Sequence, residues 1–129
     1  MSKAVAIAAG LAAFVIVGGL LLLGLRLVWP GYEAAYPMRN FDTPMRIARL
    51  FSGAAAAIAA GAAAARIAGQ TGRADLIVGV ILLAVSASIH LTDPVWSQYP
   101  LWYHAVYLGS LVPLTLFGGR LARRIKASS

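Results

Sequence analysis

Residues 4–28 read AVAIAAGLAAFVIVGGLLLLGLRLV, and the reading of this stretch decides the fold. It holds no charge until Arg26. A secretory signal has a shorter apolar core, about 7–15 residues, followed by a small-residue cleavage site. This run is longer and ends in RLVWPGY, so it reads as an uncleaved transmembrane helix. Arg26 lies near its end, where a long cationic side chain snorkels to the headgroups.

The rest of the composition agrees. The chain has 129 residues, 60% hydrophobic and only 12% charged, with a mean hydropathy of +0.79. Soluble domains average roughly 25% charged residues, so an all-α integral membrane protein of one domain is expected. Cysteine is absent, which excludes disulfides, thiolate metal sites and thiol nucleophiles. The formal charge of +7 gathers at the ends of apolar runs. That distribution suits membrane topology signals and not nucleic-acid binding.

Three further runs follow. Asp42 or Thr43 can cap a helix that accepts Pro44 in its first turn and continues through an alanine-rich stretch to a stop at Gly69. The predicted spans are 4–28, 44–68, 74–91 and 101–118. Outer connections cover 29–43 and 92–100, and a basic tail covers 119–129 along anionic lipid. Four spans place both termini on one side. That side carries Lys3, Arg66, Arg73, Arg120, Arg123, Arg124 and Lys126, against Arg26, Arg39, Arg46 and Arg49 on the other. Seven basic residues against four put both termini in the cytoplasm of a multi-pass cell-membrane protein, the inner membrane if the source is bacterial.

All eight Trp and Tyr residues then fall on the outer side, between 29 and 36 or between 96 and 107. Interfacial aromatic belts normally occur at both membrane surfaces. Five of the six prolines, which stiffen a chain, share that end. The segments WPGYEAAYPMRNFDTP (29–44) and DPVWSQYP (93–100) are expected to form a compact outer cap. It is either a set of helix-end anchors or a binding surface built from Trp29, Tyr32, Tyr36, Arg49, Trp96, Tyr99, Trp102 and Tyr103.

Arg46 and Arg49 share a helix face. With Arg26 and Arg39 they could bind a lipid phosphate or another anion, or simply pair with Glu33, Asp42 and Asp93. Arg49, more than a turn inside a span, is costly unless partnered. His90, Asp93 and His104 could together ligate a metal such as zinc or iron, although their spacing matches no closed metal motif. Gly53, Ala57, Gly61 and Ala65 form a small-residue stripe suited to close helix packing. Pro113 should kink the last span or open a gap beside it.

The first span has no acidic residue, unlike the small four-helix multidrug exporters. Phosphate-binding glycine loops, nucleophile elbows and zincin motifs are also missing. The expected function is therefore non-enzymatic: a small membrane subunit or binding protein whose outer aromatic and arginine cap contacts a lipid, an apolar ligand, a second copy or a larger membrane complex. The alternative is a membrane enzyme or metal protein using His90, Asp93 and His104.

Overall fold

The computed structural model describes residues 2–69 and 73–128, with backbone alone for 126–128. Residues 70–72 of the turn-like stretch GQTGRAD (69–75) and the side chain of Lys126 lie outside the described residues. Six helices follow in order: α1 (Lys3–Val28), α2 (Pro30–Ala35), α3 (Thr43–Ala68), α4 (Ala74–His90), α5 (Val95–Gln98) and α6 (Leu101–Ser128). No strand occurs among the described residues. Three of the helices, α1, α3 and α6, are long and apolar enough to cross a membrane.

α4 is apolar but has 17 residues, or about 26 Å at 1.5 Å per residue. That is slightly less than the ~30 Å hydrocarbon layer. The outer connections are not plain loops, because each contains a short helix, α2 or α5.

α3 begins and ends as its sequence predicts. Asp42 caps it by accepting a hydrogen bond from the Met45 amide at 3.0 Å, with Pro44 in the first turn. It stops at Gly69, whose φ of 71° suits a residue without a Cβ. The alanine-rich composition has a packing reason. α3 is the central helix, contacting α1, α4 and α6. One face turns Ala56, Ala60 and Ala64 toward α1, where Gly10 meets the Ala60 carbonyl and Gly18 meets Ala56. The small-residue stripe serves the other face. Gly53 lies against the Tyr107 ring, and a Cβ on Gly61 would overlap the Thr115 carbonyl of α6. Reciprocally, a Cβ on Gly118 would overlap the Ile58 carbonyl. Small residues thus bring α3 and α6 together at backbone distance.

α6 continues past the expected span end at 118, through Pro113 and through Gly118–Gly119, to Ser128. The two glycines permit close crossings and do not break the helix. Beyond them Ala122 is buried, and Arg123 Nη1 meets the buried Asp75 Oδ2 at 3.1 Å. The expected basic tail is therefore helical over its described residues, and it clamps the start of α4.

Candidate functional site

At the end of the molecule that carries α2 and α5, Tyr32, Phe41, Met45, Tyr99 and Tyr103 form a buried cluster drawn from both connections, α3 and α6. Tyr32 stacks on Phe41 at 4.9 Å between ring centroids, and Tyr99 on Tyr103 at 4.4 Å. Burial raises the Tyr99 phenol above its ordinary pKa against the pull of Arg49, so it stays a neutral hydroxyl.

Arg49 occupies the centre of this cluster. Its Nη1 donates to the Tyr32 hydroxyl at 2.7 Å, and Nε donates to the Tyr103 hydroxyl at 3.4 Å. Its guanidinium lies over the rings of Phe41, 4.9 Å away, and Tyr99, 5.7 Å away. The carboxylate partner expected from the outer connections is not there, because each nearby acid is engaged elsewhere. Glu33 binds Arg26 through both oxygens, at 2.6 and 3.0 Å. That bond holds its carboxyl below the ordinary carboxylate range. Asp42 caps α3, and Asp93, preceding the cis Pro94, accepts from the Ser97 hydroxyl. Arg49 is thus a cation with ring faces and hydroxyls around it and no counter-ion among the described residues. Two of its five N–H donors are taken. The only sealed side-chain polar atom without a partner among the described residues is Arg46 Nε, so Arg49 Nη2, which has no partner, is not sealed, and the residue lines an open space.

That space is a cavity of about 490 Å³. Its polar end is formed by Arg49, Arg39, His90, Tyr99, Tyr103 and Tyr107. Its far wall is the face of α1 that presents Phe14, Val15, Gly18, Gly19 and Leu22. The eight helical steps from Phe14 to Leu22 give an apolar track about 12 Å long. Val15 on α1 and Ile89 on α4, which also line it, are 70% and 50% exposed, so the cavity reaches the side of the molecule beside these two residues. Such a volume falls within the ~300–1,000 Å³ range of small-molecule sites.

His90 and His104 are brought together, with their Nδ1 atoms 2.9 Å apart, and His104 Nε2 lies 3.1 Å from the Trp96 carbonyl oxygen. His90 stacks on Tyr107 at 4.5 Å, and Trp96 covers His104 at 5.0 Å. Asp93 does not join them. No group of three His, Cys, Asp or Glu side chains among the described residues could hold a metal ion. With both Nδ1 atoms facing each other and His104 Nε2 on a carbonyl, the pair offers one open ring nitrogen, His90 Nε2. One ligand falls short of the three or four that zinc takes.

Of the residues singled out from sequence, Arg49, Tyr99, Tyr103 and His90 line the cavity. Tyr32 holds Arg49 from behind, and Trp96 backs His104. Trp29, Tyr36 and Trp102 do not line it. Trp29 packs near Tyr32, Tyr36 lies under Arg26 and Arg39, and Trp102 is 41% exposed. The sequence reading missed the α1 wall and Tyr107.

Comparison with protein-family models, curated proteins and solved structures gives no match. Function is argued from the site alone.

Proposed function

We propose that this is a multi-pass cell-membrane binding protein that holds a single-chain amphiphile, with an oxyanion head on Arg49 and an apolar tail along α1. The supporting observation is the position of Arg49, within a helix long and apolar enough to cross a membrane and at the polar end of a cavity with an apolar wall. A cation at such depth favours a counter-ion, and the nearby acids are occupied. A guanidinium with open N–H donors suits a carboxylate or phosphate, which it grips through parallel hydrogen bonds. The sideways opening suits a ligand that arrives from the bilayer.

In this reading α4 is a fourth span, somewhat short and accommodated by tilt of its neighbours or local thinning of the bilayer. Both termini then lie in the cytoplasm and the aromatic cap on the outer face. The basic residues at the α1 start, around the α3–α4 connection and along the end of α6 support that orientation.

The test is mass spectrometry of protein extracted in mild detergent. Wild type is expected to retain one amphiphile per chain, and Arg49→Gln, which keeps bulk and polarity but removes the charge, to lose at least nine-tenths of it. Equal retention by both would refute the reading.

A further inference from the structure

The two histidines restrict the head further. The Trp96 carbonyl can only accept, so His104 Nε2 must carry a proton and donate to it. In a neutral imidazole the other nitrogen is then an acceptor, so His104 Nδ1 presents a lone pair. Only His90 can fill the 2.9 Å contact between the two Nδ1 atoms, by donating its own Nδ1–H. That leaves His90 Nε2 as an acceptor without a partner in the protein. The nitrogen is not sealed, and the ring lines the cavity. A backbone carbonyl therefore fixes, through two rings, which way a third hydrogen bond must run.

Arg49 and His90 are joined through Tyr103, whose hydroxyl accepts from Arg49 Nε and whose ring stacks on His90 at 6.2 Å between centroids. The polar end of the cavity thus presents cationic N–H donors on one side and a hydrogen-bond acceptor on the other. An ionised carboxylate or a phosphodiester group satisfies the first and has no proton for the second.

We infer that the head is a phosphate monoester, with its charged oxygens on Arg49 and its P–O–H donating to His90 Nε2. This inference rests on the amphiphile reading and names the chemistry of its head. A monoester has a second pKa near 6 and so keeps both an O⁻ and, in part, an O–H around neutrality. The inferred class is an alkyl or isoprenyl phosphate with one chain.

The experiment uses the full chain in nanodiscs at pH 7, where imidazoles in general are mostly neutral and a monoester keeps part of its singly charged, O–H-bearing form. The probes are dodecyl phosphate, dodecyl methyl phosphate and inorganic phosphate, with binding read from tryptophan fluorescence. The methyl diester has the same tail and the charge of that singly charged form but no O–H. Wild type should bind dodecyl phosphate at least tenfold more tightly than the diester, and inorganic phosphate at least a hundredfold more weakly. His90→Leu should remove the tenfold preference while leaving diester binding within twofold. His90→Gln, which retains an acceptor oxygen, should keep part of the preference. Equal binding of monoester and diester by wild type would overturn the head assignment and leave the amphiphile reading standing. Inorganic phosphate binding as tightly as dodecyl phosphate would show that the tail contributes nothing and overturn both. Failure of wild type to bind any probe, with Arg49→Gln indistinguishable from it, would also overturn both. If a histidine variant fails to fold, the wild-type monoester-to-diester ratio at pH 7 and pH 8 decides: it should fall at pH 8, where the O–H-bearing form is depleted, and an unchanged or higher ratio would overturn the head assignment.

Discussion

Arg49 ties the aromatic cap together, because its guanidinium bonds a hydroxyl from α2 and one from α6 while lying over two further rings. Replacing it with leucine leaves the buried Tyr32 hydroxyl without its donor, and an unpaired buried polar group costs about 1–3 kcal/mol. Arg49→Leu should therefore lower unfolding stability in detergent by that amount, and Tyr32→Phe by less, since it removes both the hydroxyl and its need for a partner. An unchanged unfolding midpoint for Arg49→Leu would show that the cap does not depend on this residue. The sequence makes Arg49 conspicuous, as a charge inside an apolar run. It could not show that tyrosines would replace carboxylates as partners. That outcome depends on Glu33, Asp42 and Asp93 each finding a nearer donor.

Among the elements, α3 shows most clearly how composition becomes packing. Its alanines and glycines admit α1 on one face and α6 on the other. The four-residue stripe was legible in the sequence. Its partner was not, since abundant alanine leaves several registers open and only Thr115 and Tyr107 on α6 choose among them. Gly61→Ala should force α3 and α6 apart and cost about 1–3 kcal/mol, as overpacking does. Gly19→Ala, where an added Cβ meets nothing within 4 Å, should instead be neutral or stabilise α1 by up to about 1 kcal/mol. Thermal unfolding of the two variants side by side measures the contrast, and equal effects would contradict the close crossing. The sequence also hid the clamp between α6 and α4. Gly118–Gly119 resembles a helix stop, yet glycine is required there because a Cβ would overlap the Ile58 carbonyl or the Asp75 carboxylate.

For the whole molecule, helix content and the three helices long and apolar enough to cross a membrane were legible from the apolar runs, α3 with the help of its stronger neighbours. The cavity was not. It arises because α1 packs on α4 near Gly10 and Val78, while farther out the face from Phe14 to Leu22 borders empty space. No local pattern in residues 4–28 distinguishes that face from one bathed in lipid. Orientation is tested independently of the ligand. Reporters fused at Ser129 and in the 66–75 connection should report cytoplasm, and one at Gln98 the outside. The opposite result would move the cap to the inner face. The central claim, that an amphiphile occupies the cavity between α1 and α4, is tested most directly by photocrosslinking in membranes with a single-chain alkyl phosphate whose tail bears a diazirine. Mapped by mass spectrometry, the crosslinks should concentrate on Phe14, Gly18, Leu22 and Ile89 and fall sharply in Arg49→Gln. Crosslinks distributed over the outward-facing Leu20, Leu27 and Phe51, unchanged by that substitution, would contradict it.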